Sequence, residues 1–307
     1  MSAPAVCIYE VGPRDGLQNE PEQISTDAKV AFVDALSEAG YDEIEVSAFV
    51  SPKWVPQLAD AGEVFGRIRR RDGIVYSALV PNEQGFARAM AARVGKIAVF
   101  TAASETFNRK NINASIAESI ERFAPVVPEA HAAGLTVRGY VSTAFWCPYE
   151  GKIEPAAATR VAKRLLDLGV DEISIGDTIG MAVPAEVHAL LDLLLDAAPQ
   201  DAIAMHFHDT YGTAVANAIA AYERGITIFD ASAGGVGGCP YAPGAAGNVA
   251  TEDLAWALGR SGATLSIDLT RVHAASDVLA SALKRPLRSR VREASGRGPG
   301  STRATGA

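Results

Sequence analysis

The sequence predicts an α/β chain closed into a (β/α)8 TIM barrel with an extra C-terminal helix and a disordered basic tail. Three observations predict it. Short β-rich apolar runs alternate with amphipathic helical stretches, which implies a parallel sheet with right-handed crossovers. Eight such units follow one another without a break in composition, which favours a closed barrel over a doubly wound open sheet, the runner-up architecture. The 307 residues hold one barrel of about 250 residues with room for a further helix and a tail.

Strands are expected at Val6–Val11, Glu43–Ser47, Ile74–Leu79, Lys96–Phe100, Thr136–Ser142, Glu172–Ile175, Ile203–His206 and Ile226–Asp230. Helices are expected between them at Asp27–Ala39, Gln57–Arg70, Glu83–Ala92, Ser115–Ala133, Pro155–Leu168, Pro184–Ala197, Thr213–Arg224 and Thr251–Leu258. Gly40, Gly73, Gly95, Gly134, Gly169 and Gly225 each stand just before a strand, where a helix can end in a left-handed residue. Pro155 and Pro184 fall where a first helical turn tolerates proline. A ninth helix is expected at Leu269–Leu283, completing one catalytic domain over residues 1–283. Residues 284–307, rich in Gly, Ser, Thr and Arg, are expected to form a disordered, solvated basic tail.

Composition narrows the function. Apolar residues make up 48% and charged residues 21%, as in an ordinary soluble globule. No apolar run approaches the roughly 18 residues that span a membrane. The chain enters a strand-like run within a few residues, so no secretory or transit segment is expected, and three widely spaced cysteines fit a reducing cytoplasm. A net charge of −8 argues against nucleic acid or an anionic membrane as partner. The tail from Lys284 carries +6 and the preceding residues −14, so an anionic substrate needs a local cation.

In a barrel the chemistry sits at the C-terminal strand ends. Arg14 and Asp15 follow the first strand, Glu45 lies on the second, and Asp177 and Thr178 follow the sixth. His206-Phe207-His208-Asp209 ends the seventh, and a glycine-rich stretch, 234–248, follows the eighth. Residues two apart on a strand share a face, so His206 and His208 can converge on one ion with Asp15. A mixed imidazole and oxygen set suits Mg²⁺ or Mn²⁺, whereas closed thiolate sites suit Zn²⁺. Arg14 reads either as a surface ion pair or as a fixed cation for an enolate oxygen. Glu45 reads as its bidentate holder or as a plain core ion pair. Cys239, among glycines at the catalytic face, is suited to proton transfer after loop closure, whereas Cys7 and Cys147 read as structural. The glycine-rich stretch has neither the P-loop ending nor a dinucleotide fingerprint.

The motifs together resemble the 3-hydroxy-3-methylglutaryl-CoA lyase family. They are Val11–Glu20, Phe49–Gln57 (FVSPKWVPQ), Lys110–Asn113 (KNIN), Arg138–Val141 (RGYV), Cys147–Lys152 (CPYEGK), Gly176–Gly180 (GDTIG), His206–Tyr211 (HFHDTY), Gly237–Ala242 (GGCPYA) and Gly247–Asp253 (GNVATED). The resemblance implies a divalent metal on Asp15, His206, His208 and Asn248; a Gly-Asn pair on its own is only a turn signal. It implies cleavage of (S)-3-hydroxy-3-methylglutaryl-CoA to acetyl-CoA and acetoacetate, as in leucine catabolism or ketone body formation. Arg14 would stabilise the acetyl-CoA enolate, Cys239 would lie on a closing loop, and His206 or Asp15 would be the base. Arg14, Gln18, Asp177 and Thr178 are expected to contact substrate, with Asn108 and Lys110 as candidates for CoA contact. A homodimer that binds neither nucleic acid nor membrane is expected. The bulky run Thr143–Trp146 raises a longer 3-hydroxyglutaryl thioester as an alternative. A Claisen-type synthase of the isopropylmalate or citramalate kind fits less well, because Cys239-Pro240-Tyr241 stands where those carry Gly-Glu-Arg and the chain ends soon after the barrel.

Overall fold

A computed structural model describes residues 5–238 and 247–296. Eight parallel strands, β1 (Ala5–Glu10), β2 (Glu43–Ala48), β3 (Val75–Leu79), β4 (Lys96–Ala102), β5 (Thr136–Ser142), β6 (Glu172–Asp177), β7 (Ile203–Phe207) and β8 (Ile228–Ala231), pair in chain order. β8 then pairs with β1, with Ile8 opposite Phe229, so the sheet closes as expected. Around it lie α1 (Thr26–Leu36), α2 (Ala61–Arg67), α3 (Glu83–Ala91), α4 (Glu105–Ile112), α5 (Ile116–Phe123), α6 (Val126–Ala132), α7 (Pro155–Asp167), α8 (Pro184–Ala197), α9 (Ala214–Glu223), α10 (Thr251–Arg260), α11 (Leu269–Leu283) and α12 (Arg290–Ala294). Among the described residues, no helix is long and apolar enough to cross a membrane.

The core lies between sheet and helices. Outward-facing strand residues such as Ile44, Ile97, Ile173, Ile203 and Phe229 pack there against Phe32, Leu165 and Leu190 of the helices. The barrel interior is different. Its side chains include Glu43, Glu45, Lys96, Arg138, Tyr140, Glu172 and Asp230, all buried and paired with one another. Ions without water need partners, and alternation along the strands supplies them.

Several elements depart from the sequence expectation. The single helix expected at Ser115–Ala133 is two, α5 and α6, because Pro125 has no N–H to continue the ladder. A further helix, α4, precedes them, started by the Ser104 hydroxyl accepting from Phe107 N. The helix expected from Gln57 starts at Ala61, after a 3-10 turn at Pro56–Leu58. Gly95 does not adopt the left-handed conformation; Arg93 does, at φ 55°.

Within the tail expected to be disordered, residues 284–296 are ordered, and the rest lies outside the described residues. Asp253 accepts from Ser289 Oγ and from the amides of Arg290 and Val291, which satisfies the start of α12. Leu287 is buried against the glycine backbone at Gly234, where an added Cβ would lie 2.4 Å from a Leu287 methyl carbon. The segment also touches three catalytic-face loops. Arg285 donates to Glu20 (2.5 Å), Arg290 to Asp209 (2.9 Å), and the Arg288 amide to Gly234 O (2.9 Å).

Candidate metal centre and active site

The site is built from strand ends and the loops that follow them. After β1 the chain turns through one π-helical turn, Gly12–Gly16, with the amides of Arg14, Asp15 and Gly16 all bonded to Val11 O. This tight turn aims Arg14 and Asp15 into the barrel mouth. Arg14 Nε donates to Glu45 Oε2 (2.6 Å) and Arg14 Nη1 to Asp15 Oδ1 (2.7 Å). The expected bidentate grip by Glu45 is therefore absent, because the guanidinium divides its donors between two carboxylates. Tyr140 completes the clamp. Its ring lies 5.1 Å from the guanidinium carbon and its hydroxyl donates to Glu45 Oε2 at 3.2 Å.

His206 lies on β7 and His208 one residue beyond its end, with ring centroids 5.1 Å apart. The GDTIG and HFHDT loops meet closely. Gly180, at φ 69°, comes within 2.8 Å of His208 O by an added Cβ, which any side chain would obstruct. The backbone of 247–249 runs antiparallel to 207–209, with Asp209 N bonded to Gly247 O and Val249 N to Phe207 O. That pairing sets Asn248 beside His208.

One ligating atom from each of Asp15, His206 and His208 falls within 4.8 Å of the others. His208 Nε2 is 3.8 Å from Asp15 Oδ2, and Asn248 Nδ2 donates to that same oxygen at 3.0 Å. Asn248 Oδ1 and His208 Nδ1 are buried without a hydrogen-bond partner. Buried polar atoms left so are uncommon and call for a water, a ligand or an ion. Two imidazoles, a carboxylate and an orphaned amide oxygen therefore fit a divalent cation.

Electrostatics agree with that reading at Asp15 and His208. Burial pushes the Asp15 carboxyl up, but the Arg14 guanidinium and the imidazoles outweigh it and hold the group well below the usual carboxylate range. Burial lowers His208, which favours the neutral, ligating ring. Burial also works against charge on His206, but the Asp230 carboxylate beside it prevails and raises the ring.

A cavity of about 820 Å³ opens over these groups, lined among others by Arg14, Asp15, Gln18, Thr178, His206 and His208. Glu45, Asn248 and Asp177 stand outside that lining. Asp177 is fully buried and accepts the amides of Met181 and Ala182, so its carboxylate braces the loop after β6 and does not face the cavity. Thr178 Oγ1 accepts from Thr143 N (2.7 Å). Asn108 is 1% exposed and donates to Ala114 O, which excludes CoA contact, whereas Lys110 lies 3.9 Å over the Tyr149 ring. In the bulky run 143–146, Ala144 and Phe145 join the core and Trp146 donates to Glu186. None of the four lines the cavity. Cys7 and Cys147 are free thiols; burial raises Cys7 to about 11, and Cys147 is buried against Ser104. Cys239 lies outside the described residues.

Sequence reasoning gave no role to Asp230, Arg138 or Tyr140. Their signal is polar residues at alternate positions of otherwise apolar strands, as in Arg138 and Tyr140 on β5. Such positions face the barrel interior together.

Fold and site define a class: (β/α)8 barrels that present a divalent-metal centre beside a fixed arginine at the catalytic face. The family model described as HMGL-like matches residues 5–279. The chain belongs to that family. It is 49% identical over 290 residues to the cytoplasmic 3-hydroxy-3-methylglutaryl-CoA lyase of Rattus norvegicus, covering 94% of this chain and 84% of the relative. The crystal structure of hydroxymethylglutaryl-CoA lyase from Pseudomonas aeruginosa superposes with a TM-score of 0.93 at 45% identity, covering 96% of this chain and 98% of that one. An HMG-CoA lyase from Acinetobacter baumannii, solved with coenzyme A and 3-methylmalate, gives 0.90 at 38% identity, covering 94% and 95%.

Proposed function

We propose that the chain is a hydroxymethylglutaryl-CoA lyase, splitting (S)-3-hydroxy-3-methylglutaryl-CoA into acetyl-CoA and acetoacetate. The observation that carries this reading is Arg14, held by Glu45 and Asp15 at the wall of a cavity that also contains the His206–His208 pair. A fixed cation there meets the one need of this reaction that water serves badly, a developing thioester enolate.

Asp15, His206 and His208, with Asn248 Oδ1, would hold Mg²⁺ or Mn²⁺, which when bound acidifies the substrate hydroxyl and polarises a neighbouring oxygen. The hydroxyl proton passes to Asp15 or His206. The electron pair of that O–H bond forms the ketone of acetoacetate as the bond between C2 and C3 breaks. The pair released from that bond becomes the enolate of acetyl-CoA, whose oxygen Arg14 faces. Cys239 then gives its thiol proton to C2. Gln18 and Thr178, at the cavity wall, bind the acyl portion, and the Asp177 carboxylate holds the loop that presents Thr178. A cytoplasmic homodimer belongs to the same proposal. No observation favours the longer acyl group, since the run that raised it lies away from the cavity.

The test is incubation with the thioester and Mg²⁺, then with chelator, while acetoacetate is followed. Arg14→Gln should lower kcat by about 10²–10³-fold or more. Full activity in that variant, or chelator-resistant turnover of the wild type, would sink the reading.

A further inference from the structure

Below the candidate ligands, the barrel interior carries a chain of alternating charges that the proposed reaction does not use. Lys96 Nζ reaches Glu43 Oε2 (2.9 Å) and Glu172 Oε1 (3.3 Å). Glu172 Oε1 is 3.0 Å from Arg138 Nη1. Arg138 Nη2 donates to Asp230 Oδ1 at 2.5 Å. The chain ends at His206, whose Nδ1 lies 3.1 Å from Asp230 Oδ2.

Asp230 is fully buried on β8. Its two oxygens divide their work. Oδ1 takes the guanidinium, and Oδ2 takes both the imidazole and the Ser174 hydroxyl, which donates at 2.9 Å. A carboxylate beside a guanidinium only accepts, so the His206 nitrogen facing it must carry the proton. In the neutral ring the other nitrogen then keeps its lone pair. His208 has no such arrangement: its Nδ1 is buried and unpartnered.

We propose that Asp230 is a positioning residue that locks His206 in the Nδ1–H tautomer and turns its Nε2 lone pair to the candidate metal site. Arg138 and Ser174 fix Asp230 in turn, so β5, β6 and β8 together aim one ligand on β7. A carboxylate behind a ligating histidine fixes ring orientation and raises ligand basicity. The inference deepens the metal-centre part of the proposed function and needs no assumption about the thioester.

Two measurements on the full chain test it, and neither uses substrate. Long-range ¹H–¹⁵N correlation on histidine-labelled, metal-free protein, at a pH high enough to neutralise the ring, should show His206 protonated at Nδ1 and bare at Nε2. The reverse tautomer overturns the proposal without any variant. Titration with Mn²⁺, followed by water-proton relaxation, should show about 10–100-fold weaker binding in Asp230→Asn. Unchanged Mn²⁺ affinity in folded Asp230→Asn overturns it. Should that variant not fold, Ser174→Ala, which keeps the charge and removes one donor, should mix the His206 tautomers and weaken Mn²⁺ modestly; an unaltered tautomer there counts against the proposal. If the chain binds Mn²⁺ with these properties yet leaves the thioester intact, the lyase reading fails alone.

Discussion

At the residue scale the barrel mouth divides its charged groups between holding and reacting. Glu45 touches Arg14 and Tyr140, not the cavity, so it positions the guanidinium. Glu45→Gln keeps the shape and removes the charge that anchors Arg14 Nε. Misplacing a catalytic cation by about an ångström costs roughly 10²-fold in rate. We therefore expect kcat to fall by about that factor with little change in KM; an unaltered kcat would remove Glu45 from the clamp. His206 is constrained in another way. With Nδ1 committed to Asp230, only Nε2 remains, so His206 would take the hydroxyl proton only by leaving the metal. Asp15 has two oxygens, but Arg14 holds it weakly basic. Protonation of the product carbon is separable from both. Cys239→Ser replaces a thiol by a far weaker acid, so turnover should drop by about 10²-fold or more, the span of general acid catalysis, while Mn²⁺ affinity stays. Equal rates would refute proton transfer by Cys239.

At the element scale, the segment after α11 ties the site together. Arg285, Arg288 and Arg290 reach the loops after β1, β8 and β7, which carry or flank Asp15, Asn248 and His208. Leu287 is its apolar anchor at 2% exposure. Leu287→Ala should cost about 2–4 kcal/mol, lowering Tm by roughly 4 °C or more. A change below 1 °C would show that the segment does not hold the loops. The order in this segment was not legible in the sequence, because Gly, Ser and Arg spoke for solvent while the partner carboxylate, Asp253, lies 36 residues before Ser289. Strand order was legible, and strand bounds to within two residues, since apolar runs and helical spacing are local. So were Asp15, His206 and His208, which announce themselves as ligand types at strand ends. The tie of Asp230 to His206 was not: it spans 24 residues and depends on barrel closure. The orientation of Asp177 was not legible either, although its partners are local, because a carboxylate beside a cavity motif reads alike whether it faces substrate or its own loop amides.

At the scale of the whole molecule, folding assembles a site that is costly without a cation. Asp15, His206, His208 and Asn248 come from loops far apart in sequence, and no unfolded chain presents them together. Asn248 Oδ1 is buried unpaired, and such an atom costs about 1–3 kcal/mol. A cation held by the four residues binds the native state alone, so its binding energy becomes folding energy. At a Mn²⁺ concentration 100 times Kd the gain is about 2.7 kcal/mol. For a domain of this size that shifts Tm upward by roughly 5 °C. The shift should vanish with chelator and be abolished in Asp15→Ala. Ca²⁺ should give less, because it favours more oxygen ligands and gains little from imidazole. Thermal denaturation read by circular dichroism decides it. A Tm indifferent to Mn²⁺ at millimolar concentration would mean that the four residues converge for structural reasons, and that the enolate chemistry assigned to Arg14 has no cation beside it.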